Sequence, residues 1–381
     1  MKICAIICEY NPFHNGHLYH LNVAKERSGA DTVICIMSGN FVQRGEAAIA
    51  DKYTRAKHAV LSGADAVIEL PVAFASANAE LFAKGAMHII SSIPAVSHLS
   101  FGAENANTTA FMQAASILNN EPEDVSKTIK TLAKEGVSYA KARAQAFAKY
   151  IPQAFLSSPN NILGVEYTRA LLEIHSPIQI VPITRKGNDY NDQHLGKQFS
   201  SATAIRNALQ NGENLQGQLP PYVEKDIFPH TQEDLELLEK YALLTKTAQD
   251  IANVCDCTEG LENALKNAAK ENVSLVKTLT SARYTSSRIR RIALQNLLQI
   301  PKTLICNALQ ADLYLNLLAV KKERKDVLSA LSESSFPTLL RAHDEDVLNG
   351  IAKECYNTDF FADKVYRLLY NLPPVEKNLF I

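Results

Sequence analysis

The feature that most constrains the fold of this chain is its N-terminal segment, which passes from an apolar run into a helical pattern within twenty residues. The run Ile3–Cys8 is uninterrupted, as in a strand that is buried on both faces. The pair Asn11-Pro12 ends the strand, and apolar residues at helical spacing predict that a helix begins near Asn15. The sequence therefore predicts a buried strand, a tight turn and a helix.

Two histidines, His14 and His17, fall at the N-terminus of this helix, about one turn apart. Free backbone N–H groups and the positive end of the helix dipole attract anions there. Imidazoles add hydrogen-bond donors, and Gly16 lets a ligand approach the backbone closely. The alternative is a turn that merely contains two histidines and a glycine. We favour a site for a nucleotide phosphate, because the motif follows a buried strand and opens a helix.

Length and charge limit the remaining choices. A chain of 381 residues is long enough for two or three domains, and its net charge of -1 means that a nucleic acid would have to bind a local patch. Seven scattered cysteines, several of them in apolar runs (Cys4, Cys8, Cys35, Cys306), indicate small core residues in a reducing compartment. We find no cleavable signal and no membrane span, so we expect a cytoplasmic protein that does not bind a membrane.

Four more short apolar runs follow the first and alternate with helical patterns. The strand-like runs cover residues 32–37, 66–70, 97–101 and 178–183, and helical periodicity covers residues 53–61, 77–90 and 165–172. This alternation predicts an α/β fold with a Rossmann-like, doubly wound parallel sheet. Ligands of such sheets bind at the carboxyl ends of the strands, where the strand order reverses. The turn after the first strand has that position.

The chain changes character after the fifth strand. Residues 211–229 contain Gly, Gln and the pair Pro220-Pro221, which is typical of a domain boundary. Mostly helical patterns follow, at residues 234–244, 260–270, 289–298, 312–331 and 359–381. We therefore predict a nucleotide-binding domain at 1–215 and a mostly helical domain at 216–381.

Three positions after later strands are further candidates for ligand contact. Gly102 closes the fourth strand, where it would let a base or ribose lie against the backbone; a tight turn is the alternative. Asn161 follows another asparagine before a helix, and the second amide is free for a ligand if the first caps the helix. Arg185 follows the fifth strand and suits a phosphate or stacking on adenine. The loop 39–45 would be either a lid or a surface loop.

A second anion site is predicted where residues 199–206 open another helix. Ser201 and Thr203 would cap this helix if they have no other role. With Arg206 one turn later they form a second phosphate cradle, suited to the β and γ groups of a nucleotide. We favour the cradle because the first phosphate motif is already present.

The segment 278–291 combines four arginines with hydroxyl residues and contains no acid. Such a stretch suits a sugar–phosphate backbone, and its tyrosine can stack on a base. A solvated helix face is the alternative, although such faces usually mix charge signs. The residues that we expect to contact nucleic acid are Arg283, Tyr284, Arg288, Arg290 and Arg291.

Taken together, these motifs resemble a known superfamily. The sequence HNGH at 14–17 and the segment SSATAIR at 200–206 are similar to the two phosphate motifs of the HxGH nucleotidylyltransferases. The segments EYNPFHNGH (9–17), MSGNFVQRG (37–45), SPNNILG (158–164) and SARYTSSRIRR (281–291) resemble, more specifically, the bacterial tRNA(Met) cytidine acetate ligases. This resemblance covers nearly the whole chain.

The resemblance implies an activity that spacing alone does not show. Members of that family activate acetate with ATP to acetyl-adenylate and pyrophosphate. They then transfer the acetyl group to the exocyclic amine of the wobble cytidine of elongator tRNA(Met), and AMP is released. The partners implied are ATP, acetate and this tRNA. Magnesium commonly accompanies nucleotide phosphates, but the sequence has no acidic cluster that must bind it, so we predict no metal site in the protein.

By the same resemblance His14 and His17 are the catalytic residues. The positions expected to contact ATP are Ile7, Cys8, Glu9, Tyr10, Asn11, Phe13, His14, Asn15, Gly16, His17, His20, Gly102, Asn161, Arg185, Ser201, Thr203 and Arg206. Two alternatives stay open. An adenylyltransferase acting on a small phosphorylated cofactor precursor would explain the N-terminal half but not the arginine-rich segment. A non-catalytic RNA-binding factor with ATP as a ligand would bind RNA without turning over ATP.

Overall fold

The structure is a computed structural model of the 381-residue chain. It describes residues 1–137, 139–186, 195, 199–215, 217–227, 232–341, 343–373 and 379–381, with the side chains of 139–141 left aside. Statements about the fold below concern these residues. No helix among them is long and apolar enough to cross a membrane. The expected cytoplasmic location stays a prediction.

The described residues form one seven-stranded sheet and a small two-stranded hairpin. The strands are β1 (Ile3–Cys8), β2 (Thr32–Ser38), β3 (Phe41–Val42), β4 (Glu46–Ala47), β5 (Ala66–Leu70), β6 (Val96–Ala103), β7 (Gln179–Thr184), β8 (Leu315–Val320) and β9 (Thr338–Leu339). The order in the large sheet is β7-β6-β1-β2-β5-β8-β9, and β3 pairs with β4. The first five runs of this sheet are the five predicted from sequence.

Helices cover both faces of the sheet. They are α1 (Asn15–Ser28), α2 (Lys52–Leu61), α3 (Val72–Ala75), α4 (Ala79–Ser91), α5 (Thr108–Asn119), α6 (Glu123–Lys134), α7 (Tyr139–Phe147), α8 (Ala154–Ser157), α9 (Pro159–Glu173), α10 (Ala202–Gln210), α11 (Pro221–Glu224), α12 (Glu233–Thr245), α13 (Ala248–Ile251), α14 (Leu261–Lys270), α15 (Leu275–Leu279), α16 (Ser286–Leu297), α17 (Lys302–Ala308), α18 (Lys325–Ser332) and α19 (Gly350–Tyr370), with a short 3₁₀ turn at Asp344–Val347.

The sheet is wound in both directions from β1. Strand β1 pairs in parallel with β2 on one side and with β6 on the other, and β7 continues in parallel beyond β6. The chain thus runs from β1 through β2 to β5 and then returns to β6, so the strand order reverses between β1 and β6. This confirms the predicted doubly wound parallel sheet. It also leaves the crevice at the carboxyl ends of β1 and β6 as the expected ligand position.

Alternation along β1 divides the interior into two layers. Ile3, Ala5 and Ile7 pack into the core on one face of the sheet, and Cys4 and Ile6 pack into the core on the other. Side chains on both faces of β1 pack against apolar residues, which explains why its sequence is uninterruptedly apolar. A third apolar cluster lies between helices α12 and α16 and gives the C-terminal helices a core of their own.

Our prediction of a helix at 312–331 is wrong for the first half of this segment. Residues Leu315–Val320 form strand β8, which pairs antiparallel with β5, and the helix begins only at Lys325. All six strand residues are buried, with Leu317 in one core and Leu318 in the other. A strand that packs against apolar residues on both faces has an uninterrupted apolar sequence. Such a sequence lacks the alternation that distinguishes a strand from a buried helix, which is why we predicted a helix here. Cys306, expected in the core, is exposed.

Residues after the proposed boundary thus contribute two strands to the main sheet. The division at 215/216 stays a prediction, and Gln216 lies outside the described residues, as do 228–229 of the boundary segment. Helix α19 begins at Gly350, earlier than the predicted 359.

A buried polar network ties α19 to the strand ends. The Lys52 Nζ lies 2.8 Å from Glu69 Oε1 and 2.8 Å from Asp363 Oδ2. Asn40 donates to Asp363 and accepts from the Lys52 N–H. These residues join α2, β5 and α19 to the loop that leads into β3. The loop is therefore fixed by a largely buried network of charged and polar groups.

Candidate active site

The turn between β1 and α1 is organised by His14 and His17 themselves. His14 is the N-cap of α1, and its Nδ1 accepts a hydrogen bond from the Gly16 N–H at 3.0 Å. The His17 Nδ1 accepts from the His14 N–H at 3.3 Å, which completes a capping box with a histidine at each end. The two rings stack, with their centroids 3.6 Å apart. The spacing of the motif is therefore set by the first turn of the helix.

These hydrogen bonds decide what the two histidines offer to a ligand. Because each Nδ1 accepts from a backbone N–H, the proton of the neutral ring lies on Nε2, which is left as a donor. Burial, with smaller contributions from the nearby Arg185 and Arg206, lowers the pKa of His14 to about 3. Burial and the charge of His14 hold the pKa of His17 well below its usual range. Both rings are neutral donors at physiological pH.

A third histidine on the same helix has a different partner. His20 Nε2 lies 3.0 Å from the Ser100 Oγ on β6, which joins α1 to the neighbouring strand. Burial lowers its pKa to about 4, with a smaller contribution from Arg185. His20 thus helps to keep α1 over the crevice between β1 and β6.

The second predicted cradle lies against the first. Ser201 is the N-cap of α10 and accepts from the Ala204 N–H at 3.0 Å. Arg206, one turn later, donates from Nη1 to the carbonyl oxygen of Asn11 at 2.8 Å. Through this hydrogen bond α10 contacts the turn between β1 and α1, so the N-termini of α1 and α10 lie close together. Their motifs are almost 190 residues apart in the sequence.

Between them lies a cleft of about 1450 Å³, its open mouth included. Fourteen of the seventeen positions that we expected to contact ATP line it: Ile7, Cys8, Glu9, Tyr10, Asn11, His14, Gly16, His17, His20, Gly102, Arg185, Ser201, Thr203 and Arg206. Four cationic side chains (Arg44, Arg185, Lys186, Arg206) and two carboxylates (Glu9, Glu46) line it among the described residues. With two helix N-termini added, the cleft favours a polyphosphate.

Three predicted contacts are not on the walls of the cleft. Phe13 is fully buried, with its ring centroid 4.8 Å from that of Tyr10. Asn15 donates from Nδ2 to the Gly217 carbonyl. Asn161 is also buried; its Oδ1 accepts from the N–H groups of Glu104 and Asn105. These side chains shape the turns behind the cleft, and direct contact of any of them with ATP stays a prediction.

The loop 39–45, which we expected to be either a lid or a surface loop, forms a packed wall of the cleft. Phe41 and Val42 are buried in the β3–β4 hairpin, and the Gln43 N–H donates to Glu9 Oε1 at 2.8 Å. On the other side Gly45, at φ +74°, lies so close to α16 that a Cβ would come within 2.6 Å of the Arg290 backbone. Hairpin residues 41–47 thus separate the cleft from α16 and contact both.

Glu46 of this hairpin connects the two predicted sites. Its Oε1 lies 3.0 Å from Arg290 Nη1, and its Oε2 lies 3.7 Å from Arg206 Nη2. One carboxylate therefore faces an arginine of the phosphate cradle and an arginine of the predicted nucleic-acid surface. Neither Glu46 nor Arg44 was among our predicted site residues. An arginine and a glutamate next to two glycines in the loop 39–46 are a sequence signal for a binding site. The sequence does not show, however, toward which side of the loop these two side chains point.

The other arginines of the segment 283–291 have partners that the sequence did not suggest. Arg283 pairs with Glu259 at 2.8 Å, and Arg288 donates to the Asp256 carbonyl. The guanidinium groups of Arg283 and Arg288 lie 5.6 and 5.2 Å from the centre of the Tyr284 ring. Arg291 is buried, and its Nη2 lies 3.4 Å from Asp256 Oδ2. The loop 256–259 therefore offsets much of the positive charge, and nucleic-acid contact stays a prediction.

The described residues bring together one group of three side chains able to ligate a metal, His343, Glu345 and Asp346, all outside the cleft lining. Exposed acidic groups of this kind are common without an ion. In the described cleft lining, the Glu46 carboxylate is paired with two arginines and the Glu9 carboxylate accepts from the Gln43 N–H, so the lining offers no acidic cluster to an ion. A magnesium ion bound there would therefore take most of its ligands from phosphate oxygens and water.

Comparison with known proteins adds independent findings. Residues 1–379 match the family described as HIGH Nucleotidyl Transferase. The chain is 36% identical over 404 aligned positions to a tRNA(Met) cytidine acetate ligase of Acetivibrio thermocellus, covering 99% of the chain and 97% of that protein. A protein of the same name from Clostridium novyi is 40% identical over 319 positions, covering 77% and 78%.

Solved structures agree with these sequence matches. Crystal structures of Thermotoga maritima TmcAL in the apo form and bound with alpha-thio ATP superpose with TM-scores of 0.89 and 0.87. Each is 30% identical in sequence, and the match covers 99% of this chain and 96% of the other.

Proposed function

The chain belongs to the HIGH nucleotidyl transferase family and, within it, to the tRNA(Met) cytidine acetate ligases, and from this premise we propose that it acetylates the wobble cytidine of elongator tRNA(Met) at the expense of ATP. It is a ligase that splits ATP into AMP and pyrophosphate. The observation that carries the proposal is the meeting of two phosphate cradles in one cleft, with an arginine-rich helix directly beyond the hairpin that forms the wall.

ATP would lie with its phosphates between the N-termini of α1 and α10. The neutral rings of His14 and His17 would donate hydrogen bonds to the α-phosphate without repelling the cationic side chains around them. Arg206 and the hydroxyls of Ser201 and Thr203 would hold the β- and γ-phosphates. The apolar residues around Gly102 leave room for the base at the far end. The related Thermotoga maritima protein bound with alpha-thio ATP supports a nucleotide in this fold.

In the first step an oxygen of acetate attacks the α-phosphorus of ATP. A new P–O bond forms, the bond to the bridging oxygen of the β-phosphate breaks, and pyrophosphate leaves with the electron pair. Negative charge grows on the equatorial oxygens and on the leaving group during this step. Donors fixed by the helix turn stabilise that charge without reorganising, which is how His14, His17 and the helix N-terminus would accelerate the reaction.

In the second step the exocyclic amine of cytidine attacks the acetyl carbonyl. The C–N bond forms, the C–O bond to the phosphate breaks, and AMP leaves. The amine must reach the cleft past the β3–β4 hairpin, and Arg290 lies directly behind this hairpin. Arginines 283, 288, 290 and 291 with Tyr284 would hold the tRNA backbone, and would exchange their contacts with the loop 256–259 for phosphates.

Nucleoside mass analysis tests the proposal directly. Purified protein incubated with tRNA(Met), ATP and acetate should produce N4-acetylcytidine, with AMP formed only when all three are present. Radiolabelled AMP that appears in a stable small product would instead support an adenylyltransferase. Binding of tRNA with no consumption of ATP would support a non-catalytic RNA-binding factor. Acetate and the tRNA are the parts of the proposal that this experiment decides.

A further inference from the structure

The second step needs a proton acceptor, and this inference rests on the proposed function. The lone pair of the cytidine amine is conjugated with the ring, so the amine is a weak nucleophile. As it attacks the acetyl carbonyl, it must lose a proton to a base within hydrogen-bond reach. Among the described residues that line the cleft, the candidates are three histidines and two carboxylates.

The histidines are poorly suited to accept that proton. Backbone N–H groups occupy the Nδ1 atoms of His14 and His17, so their remaining nitrogens already carry hydrogens. His20 is joined to Ser100 through Nε2. Burial lowers the pKa of His14 to about 3 and that of His20 to about 4, which makes the rings weak bases. They serve better as donors to phosphate.

Of the two carboxylates, Glu46 is paired at both oxygens and Glu9 at one. Glu46 has an arginine at each oxygen. Glu9 directly follows β1; its Oε1 accepts from the Gln43 N–H, and its Oε2 receives no hydrogen bond from the described part of the chain. It lines the cleft on the side of the hairpin, whose other side contacts Arg290. A cytidine held at α16 would therefore present its amine to Glu9 on the hairpin side of the cleft.

The charged groups around Glu9 come from three elements. Arg44 and Glu46 face it from the hairpin, Arg206 faces it from α10, and Arg55 of α2 donates to its backbone carbonyl. Burial is the largest effect and raises the pKa of Glu9 above its ordinary value; Gln43, Arg44 and Arg206 lower it, and Glu46 raises it. Burial thus acts in opposite directions on the two kinds of group: it makes the Glu9 carboxylate a stronger base and the His14 and His20 imidazoles weaker ones.

We propose that Glu9 is the general base of acetyl transfer: its Oε2 takes a proton from the N4 amine of cytidine while the amine nitrogen bonds to the acetyl carbon and AMP leaves. The carboxylate ends the step protonated and returns the proton to water. No other co-reactant is needed. Because only the ionised carboxylate can act, the rate of transfer rises as the pH rises through the pKa of Glu9.

The test separates the two half-reactions in Glu9→Gln, whose amide oxygen can still accept from the Gln43 N–H. Transfer is followed in a single turnover from preformed acetyl-adenylate to tRNA, and activation as acetate-dependent exchange of pyrophosphate into ATP. We expect transfer to fall about 100- to 10,000-fold, with loss of the acid limb of its pH profile. Exchange should fall by about tenfold or less, the cost of one lost charge. Glu9→Asp should keep the acid limb at a reduced rate.

Glu46→Gln is the matched control, since it removes the second carboxylate of the described cleft lining and should retain the acid limb. The inference is overturned if Glu9→Gln transfers acetyl at the wild-type rate, keeps the acid limb, or loses exchange and transfer equally. Should Glu9→Gln fail to fold, an acid limb that is missing from Glu9→Asp would overturn it as well. A wild-type protein that forms no acetylcytidine would refute the proposed function instead.

Discussion

The two charged regions of this molecule are built in opposite ways. In the cleft the two histidines accept hydrogen bonds from backbone N–H groups two or three residues away in their own turn; His14 is almost fully buried and His17 is half-buried. On and just before α16 the arginines are more exposed, apart from Arg291. Acidic and carbonyl groups 24 to 35 positions away hold Arg283, Arg288 and Arg291, and Glu46 of the hairpin holds Arg290. The cleft is therefore preformed by a local motif. The surface of α16 must give up internal contacts before it can bind a phosphate chain.

These two designs predict different binding behaviour for ATP and for tRNA. Buried donors at helix N-termini lose little to salt, whereas exposed arginines lose affinity steeply as salt rises. The rate of acetate activation should thus change little with salt concentration, whereas the affinity for tRNA should depend strongly on it. The β3–β4 hairpin contacts both regions, and through it a change in one can affect the other.

The largest expected effect comes from removing an imidazole without removing the cap. Asparagine is a good N-cap, so His14→Asn keeps the start of α1 while the donor to phosphate is lost. We expect acetate-dependent pyrophosphate exchange to fall about 1,000-fold, with the affinity for tRNA within about threefold of wild type. His14→Ala should lose the same activity and also about 1 kcal/mol of stability. A stable His14→Asn protein with near-normal exchange would contradict the assignment.

The next effect concerns the contact between the hairpin and α16. Gly45→Ala adds a Cβ that would lie 2.6 Å from the Arg290 backbone at a φ of +74°. We expect a loss of about 2–4 kcal/mol in the free energy of unfolding, from the strained φ and the clash together. Gly212→Ala is the control, because Gly212 has a φ of +69° with open space around it. It should lose about 1 kcal/mol. Urea unfolding measures both, and equal losses would show that the clash is unimportant.

A smaller effect is expected on the arginine surface. Arg288→Ala combined with Arg290→Ala should weaken tRNA binding about tenfold, and should reduce the slope of log affinity against log salt by roughly 1–2. Filter binding at several salt concentrations measures this. The control is Lys127→Ala, which removes an exposed cation on α6 and should leave the slope unchanged. An unchanged slope in the double variant would remove α16 from the tRNA-binding surface.

The smallest effect is the pH dependence of stability. The folded pKa values of His14 and His20 lie at about 3 and about 4, below the ordinary 6.5. Between these values the unfolded chain binds protons that the folded chain does not, so stability is lost as the pH falls through this window. His20→Asn should show a shallower fall between about pH 6.5 and 4.5 in urea unfolding. A His14 or His20 ring that titrates near 6.5 in the folded protein would contradict the burial assigned to these two residues.

The features that could be predicted from the sequence are those determined by residues close to one another along the chain. The strand–turn–helix at residues 3–28 and the N-caps of α1 and α10 depend on neighbours within a few residues, and the five strands through residue 184 follow from short apolar runs. Strand β8 was missed because its apolar run fills both faces of the sheet. No pattern of spacing could have paired Glu259 with Arg283 or Glu46 with Arg290, since only tertiary packing brings them together.

The most direct test of the account is a crystal structure of this protein with a non-hydrolysable ATP analogue. We predict that the triphosphate lies in the cleft, with its α-phosphate within hydrogen-bond distance of the Nε2 atoms of His14 and His17 and its outer phosphates at Arg206 and the N-terminus of α10. A nucleotide bound elsewhere on the chain, with these histidines contacting no phosphate, would contradict it.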